Sequence, residues 1–170
     1  MIALLGGVIS VSAGFLLGEF WIGVATEAII MALFATAGFS AGLTDSLKPG
    51  KADIKSAGVM AFGPEGILFV GDSTGAAIFA FDTQDRTASQ ATPVDVKGIN
   101  GKIAAMLGTT ADQILINDLA VNPISKKMYL SVSRGRGPTA APVIIRVDTN
   151  GKIEQFSTDN VGLSKVVLPN

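Results

Sequence analysis

The chain contains neither cysteine nor histidine. Without cysteine it has no disulfides and no thiolate chemistry. Without histidine it lacks the usual general base, the usual zinc ligand and every Ser-His-Asp arrangement. Proton transfer in any catalysis would therefore depend on carboxylates, lysine or tyrosine. These absences weigh against triad hydrolases and against zinc enzymes.

Positive charge is missing from the first quarter of the chain. No Lys or Arg precedes Lys48, and residues 1–43 carry two acids, Glu19 and Glu27. Over all 170 residues, 13 basic and 14 acidic side chains leave a net charge of −1. With no basic cluster and no excess of positive charge, nucleic acid is not an expected partner.

The N-terminus, which lacks basic residues, consists of two apolar stretches, residues 1–18 and 20–42, the second interrupted by Glu27. A bilayer core about 30 Å thick is crossed by roughly 20 apolar residues in a helix. Residues 1–43 are therefore predicted to form one or two transmembrane helices in contact with membrane lipid. A cleavable secretory signal is the alternative, since small residues at 35–41 resemble a cleavage site. The absence of a positive n-region and the length of the apolar run count against it.

The side of the membrane is an open question at the level of sequence. We expect a membrane-anchored protein whose β domain is extracytoplasmic (periplasmic) in a bacterial envelope. Lys48, Lys51 and Lys55 follow the apolar segment directly. By the positive-inside rule these lysines favour the opposite, cytoplasmic orientation.

The rest of the chain contains a long internal repeat, in which residues 60–83 return as residues 119–149. Both copies show the order strand, turn, strand, turn, strand, at a period of about 60 residues, which is typical of propeller blades. The aspartates that end or follow these strands, beside Ser, Thr or Gly, are interpreted as turn formers. The positions that correspond between the copies are Pro64 and Pro123, Ser73 and Ser133, Gly75 and Gly135, and Asp82 and Asp148.

The sequence therefore predicts a mainly β protein. It would be a partial β-propeller of about two four-stranded blades with a short helical insertion, preceded by one or two apolar transmembrane helices. Residues 94–96 are predicted to be the outer strand of the first blade. The predicted layout is an apolar anchor or signal-like segment (1–43), a linker (44–55), blade 1 (56–97), a helical insertion (98–114), blade 2 (115–157) and the start of a further strand (158–170).

Two blades are fewer than the four to eight of a complete propeller. The pattern is therefore interpreted as a fragment of a larger propeller, an oligomer part or a small open sheet stack. Exposed strand edges leave backbone groups unpaired, so self-association through these edges is expected.

Two resemblances to known families add to this interpretation. Residues 20–35 and their surroundings resemble the first membrane segments of branched-chain amino-acid ABC permease subunits, over about 25 residues. The repeat, including residues 117–123 and 128–131, resembles blades of NHL and gluconolactonase-like (SMP-30-like) six-bladed propellers. The second resemblance implies a divalent-metal ligand at Asn117, with Asp118 beside it, and an oxygen-lined site of this kind would suit calcium.

The candidate ligand-binding residues are Arg134 and Arg136, which flank a glycine in the loop of the second copy. Arginines beside glycines can bind a phosphate or a carboxylate through charge-assisted hydrogen bonds. Three functions stay open. The preferred one is a non-catalytic, membrane-tethered propeller-like module that binds an unknown protein or small molecule. The alternatives are a calcium-dependent propeller hydrolase of the lactonase kind and a fragment of an ABC permease fused to a β domain.

Overall fold

The computed structural model describes residues 42–169. The predicted membrane segment 1–43 lies outside these residues except for its last two positions. Within the described part of the chain, no helix is both long enough and apolar enough to span a bilayer. The mainly β class is confirmed: in residues 42–169, nine strands form two antiparallel sheets, and one α-helix packs on the second of them.

The first sheet has five strands, in the order β1-β9-β4-β3-β2. Its central strands are built from alternating large apolar side chains, which gives each strand one buried face. The positive φ angles of Glu65 (55°) and Gly66 (73°) form the tight turn between β2 and β3. The strands are β1 (Lys48–Gly50), β2 (Met60–Phe62), β3 (Ile67–Asp72), β4 (Ala77–Asp82) and β9 (Val161–Val167).

The outer position beside β4 differs from the prediction. Residues 94–96 form no strand, and β9 pairs with β4 instead, with Ala77 opposite Val167 and Phe81 opposite Leu163. The reason is that Val96 packs with the helix on the second sheet, which removes this segment from the edge of β4. The predicted further strand after residue 158 thus forms, but it completes the first sheet. β1, within the segment predicted as a linker, pairs with the other side of β9.

The second sheet has four strands, in the simple order β5-β6-β7-β8. The predicted hairpin at Asn150 and Gly151 is confirmed, since the Gly151 amide donates to the Asp148 carbonyl and Gly151 has a φ of 81°. The predicted helical insertion is present as α1 (Ile99–Leu107), which ends at Gly108 in the left-handed conformation. The strands are β5 (Ile114–Val121), β6 (Met128–Arg134), β7 (Ala141–Val147) and β8 (Ile153–Phe156).

Two cores hold these layers together. The first lies between the two sheets, where aromatic rings meet edge to face: Phe62 on Tyr129 (5.1 Å between centroids) and Phe81 on Phe156 (6.1 Å). The second core lies between the second sheet and α1, and includes Ile103, Ile145 and Val147. The second sheet is therefore covered on both faces. The first sheet is covered on one.

Candidate functional site

A cavity of about 410 Å³ opens where the two repeats present equivalent turns. The β3–β4 turn of the first sheet forms one wall, and the longer β6–β7 loop of the second sheet forms the other. Among the described residues its lining carries one charged side chain, a lysine, and three hydroxyls. The lining residues are Lys55, Ser56, Thr74, Ser133, Gly137, Pro138, Ala140 and Pro142.

The first wall is built around the buried carboxylate of Asp72. It accepts hydrogen bonds from the backbone amides of Lys55, Ser56 and Gly75 and from the Ser56 hydroxyl, all at 2.8 Å. Burial favours a higher pKa for Asp72, but these donors outweigh it and lower the pKa overall. A Cβ at Gly75 would lie 2.4 Å from an Asp72 oxygen, so this turn requires glycine. The predicted turn-forming role of Asp72 is confirmed.

Lys55 provides the positive charge at this wall. Its ammonium group pairs with the carboxylate of Asp53, and this hydrogen bond raises the pKa of Lys55 and lowers the pKa of Asp53. Both side chains are more than half exposed to solvent. An exposed pair of this kind contributes little net free energy, so an incoming anion can compete for the ammonium at small cost.

The second wall is the loop that contains the predicted arginines. Gly135 and Gly137 both have positive φ, at 96° and 69°, which lets the chain turn sharply. The Arg136 guanidinium donates from Nε to the Asp112 carbonyl at 2.8 Å and so ties the loop to the short helical turn before β5. Arg134 is exposed at the end of β6. Arg136 thus lies in the loop that bounds the cavity and Arg134 directly before it, but neither belongs to the lining.

The two predicted metal ligands lie at the seam between the sheets. Asn117 sits at an irregularity in the pairing of β5 with β6, and its side-chain nitrogen donates to the Ala57 carbonyl and the Ser133 hydroxyl. The Asp118 carboxylate accepts from the amides of Met60 and Leu119. These contacts fit a role in joining β5 to β2.

The same side chains are engaged by protein groups in the structure. Both carboxylate oxygens of Asp118 already accept amide hydrogen bonds, and Asn117 directs its donor end at protein acceptors. In residues 42–169 no group of three or more Asp, Glu, His or Cys side chains is placed to hold a metal ion. Calcium binding here stays a prediction from the resemblance.

A second polar cluster surrounds Asp85 and was not anticipated from the sequence. The buried carboxylate accepts hydrogen bonds from the Ser125 hydroxyl (2.8 Å), the Lys127 ammonium (2.8 Å) and the Tyr129 hydroxyl (3.2 Å). Burial favours a raised pKa for Asp85, but Lys127 and Ser125 lower it overall. Burial also raises the pKa of Tyr129 to about 12. Every polar partner is satisfied internally, so this cluster holds the fold together.

The cavity residues Ser56 and Thr74 were missed by the sequence reasoning, which concentrated on arginine and on metal ligands. The usable signal was the alignment of the repeats, because Ser73 matches Ser133 and Gly75 matches Gly135. In the structure the equivalent turns of the two repeats both bound the cavity, so Thr74 and Ser133 share its lining.

No protein-family model, curated protein or solved structure matches the chain.

Proposed function

We propose that the protein is a non-catalytic binding module that holds a small anionic ligand, a phosphate or a carboxylate, between the equivalent turns of its two repeats. The observation that carries this proposal is the composition of the cavity. One lysine, Lys55, and three hydroxyl-bearing residues, Ser56, Thr74 and Ser133, line it, and among the described residues no Asp or Glu belongs to its lining. Such donors are the usual partners of phosphate and carboxylate oxygens.

The non-catalytic part of the proposal is supported by the surroundings of the Ser56 hydroxyl. Ser56 donates its hydroxyl to Asp72, a geometry that in other settings would activate a nucleophile. The Asp72 carboxylate, however, already accepts three amide hydrogen bonds, and its lowered pKa makes it a weak base. A general base works best when its pKa lies near the operating pH. In this proposal Ser56 stays hydrogen-bonded to Asp72 and shapes the wall, and the donors to the anion are the Lys55 ammonium and the hydroxyls of Thr74 and Ser133.

The larger context of the module is proposed from the sequence. The two sheets would be neighbouring blades of a propeller-type stack, which their face-to-face packing and their shared repeat support. The apolar residues 1–43 would tether the module to a membrane, with the β domain on the extracytoplasmic side. Tethering would make the protein a receptor or scaffold at the membrane surface.

The test is a titration of the full-length protein with inorganic phosphate and with succinate, followed by calorimetry. Chloride at the same ionic strength is the reference. We expect saturable heat with one of the two anions, and an affinity at least about fivefold weaker in Lys55→Gln, since a charge-assisted hydrogen bond contributes on the order of 1–3 kcal/mol.

The matched control is Lys97→Gln, which removes an exposed lysine from the segment before α1. This variant should bind with the affinity of the unmodified protein. Absence of saturable heat with both anions would contradict the proposal, as would equal weakening by the two substitutions, which would indicate a general charge effect.

A further inference from the structure

The cavity between the two turns is larger than an inorganic anion requires. Its volume of about 410 Å³ lies in the range of about 300–1,000 Å³ that is typical of sites for small organic molecules. A phosphate or an acetate ion, about the size of two to three waters of about 30 Å³ each, would occupy roughly a fifth of this space. The remaining volume can hold a further part of a ligand.

The polar and the apolar lining residues are concentrated on different walls. Lys55, Ser56 and Thr74 line the first wall. The second wall contributes proline and alanine side chains, which offer neither a hydrogen-bond donor nor an acceptor. These apolar lining residues are Pro138, Ala140 and Pro142. The first wall therefore suits an anionic group, and the second suits an apolar surface.

Ser133 lies at the boundary between these two kinds of lining. On β6 it is opposite Pro142 of β7 in the antiparallel register, so the two side chains are neighbours on one face of the sheet. The Ser133 hydroxyl accepts a hydrogen bond from the Asn117 side chain at 3.0 Å, which leaves its own proton available to a ligand. A ligand oxygen bound by Ser133 would bring the adjoining ligand atoms to the Pro142 ring.

The loop of the second wall is held in place by bonds within the protein. The Gly135 amide donates to the Gln113 carbonyl at 2.8 Å, and Nε of Arg136 donates to the Asp112 carbonyl at 2.8 Å. A loop that is fixed in this way loses little conformational freedom when a ligand binds. Apolar contacts with it can therefore contribute to affinity.

The charges around the first wall match a ligand with one negative charge. The Lys55 ammonium pairs with Asp53, and the Ser56 hydroxyl donates to Asp72. A phosphate ester carries close to two negative charges at neutral pH. Its second charge would lie near these two carboxylates, and the described lining holds no second cation. A carboxylate brings a single charge.

We propose that the ligand of the cavity is a monocarboxylate with an apolar body, such as an aryl or a branched-chain carboxylate. The carboxylate occupies the anion site proposed above, on which this inference rests, and accepts hydrogen bonds from Lys55, Thr74 and Ser133. The apolar body packs on Pro138 and Pro142 of the second wall.

The test compares ligands that share either the charge or the apolar body. The full-length, ¹⁵N-labelled protein is titrated with acetate, phenylacetate, 2-phenylethanol and phenyl phosphate, and the amide resonances of Thr74 and Ser133 are followed by NMR. Phenylacetate should bind at least about tenfold more tightly than acetate, the gain expected from covering on the order of 60 Å² of apolar ligand surface. 2-Phenylethanol, which lacks the charge, should bind at least about fivefold more weakly than phenylacetate. Phenyl phosphate should also bind more weakly than phenylacetate.

Substitutions separate the apolar wall from the anion site. Pro138→Ser should lower the ratio of phenylacetate affinity to acetate affinity by at least about threefold, because it removes apolar contact area. Pro93→Ser, at an exposed position before α1, is the matched control and should leave the ratio unchanged. Lys55→Gln should weaken acetate and phenylacetate by a similar factor.

The outcomes distinguish this inference from the proposed function. Equal affinities for acetate and phenylacetate would overturn the inference alone, as would tighter binding of phenyl phosphate than of phenylacetate. An unchanged affinity ratio in Pro138→Ser would overturn it too. Absence of binding by every anion, or equal binding of phenylacetate and 2-phenylethanol, would contradict the anion site itself.

Discussion

The carboxylate of Asp118 accepts a hydrogen bond at 2.7 Å from the backbone amide of Met60, which lies on the edge strand of the other sheet. The Asn117 side chain and the Ser131 hydroxyl donate to the carbonyls of Ala57 and Gly58, directly before that strand. Open strand edges attract other chains because their backbone groups are unpaired. Side chains of the second sheet thus satisfy part of the open edge of the first.

Loss of the Asp118 carboxylate should weaken the seam between the sheets. Asp118→Ala leaves the Met60 amide without its acceptor, and an unsatisfied backbone donor costs about 1–3 kcal/mol. Urea unfolding of the full-length protein measures the change in the free energy of unfolding. Asp95→Ala, at an exposed position before α1, is the matched control and should change it by less than about 0.5 kcal/mol. Equal effects of the two substitutions would contradict the role assigned to Asp118.

Alkaline pH should destabilise the protein through Tyr129. Its pKa is raised by burial to about 12 in the folded state, whereas an unfolded tyrosine ionises near 10. The folded state therefore favours the protonated form. This contribution is fully present below pH 10 and is lost as the pH rises from 10 to 12, in total about 3 kcal/mol.

The chain has one tyrosine, so absorbance of tyrosinate at 295 nm follows Tyr129 directly. The folded protein should titrate near pH 12, and the protein in denaturant should titrate near pH 10. Tyr129→Phe should abolish the signal and flatten the loss of thermal stability above pH 10. A native titration near pH 10 would contradict the burial of this hydroxyl in the seam.

Acid should destabilise the protein through Asp85. Its folded pKa lies below the ordinary value because of Lys127 and Ser125, in spite of burial. The stabilisation is therefore present above about pH 4 and is lost as the pH falls through the folded pKa. Asp85→Asn should reduce the acid dependence of the melting temperature and, at pH 7, cost about 1–3 kcal/mol because Lys127 loses its partner.

Asp72 also has a lowered pKa, so part of the acid dependence should persist in Asp85→Asn. Asp159→Asn is the control, since its ion pair with Lys51 is exposed at both side chains. Unchanged acid dependence in Asp85→Asn would show that the cluster does not hold Asp85 in its charged form.

Removal of β9 should disrupt the first sheet. Without residues 161–170, β4 loses its outer neighbour, and Leu163 and Lys165 no longer cover the core around Phe79 and Phe81. We expect a loss on the order of 3 kcal/mol or more, together with aggregation at the exposed edge. Removal of residues 169–170 alone is the control and should leave thermal unfolding unchanged. Equal stability of both truncated proteins would favour the original interpretation of this segment as the start of a separate blade.

Local pattern was enough to predict most of the second sheet. Strands β5 to β8 follow one another in space as in sequence, and each is delimited by a turn signal such as Asn150 and Gly151. The helical insertion was predicted for the same reason, since the spacing of Ile103, Met106 and Leu107 is a local property.

The outer part of the first sheet depended on long-range competition. Val94 and Val96 have strand propensity, but Val96 packs against the second core, which includes residues of α1. The edge of β4 then pairs with β9, about 80 residues further along the chain. Strand propensities do not specify which of two segments pairs with the edge of β4.

The sequence predicted where the candidate site lies, but it did not predict which side chains line it. The loop after Arg134 does bound the cavity, yet Arg136 binds the Asp112 carbonyl and Arg134 is exposed at the end of β6. Asn117 and Asp118 join the sheets. The cavity hydroxyls come from two turns whose proximity depends on how the sheets stack. The repeat indicated that the two sheets stack, but it did not indicate that Ser56, Thr74 and Ser133 would line one cavity.

The central claim is that two equivalent turns form one anion site. The most direct measurement is a titration of the full-length, ¹⁵N-labelled protein with inorganic phosphate, in which the backbone amide resonances are followed by NMR. We predict that Ser56, Thr74 and Ser133, from both walls of the cavity, shift together with a single dissociation constant, and that Lys55→Gln weakens all three responses. Shifts confined to scattered exposed lysines, or shifts of one wall without the other, would contradict the account.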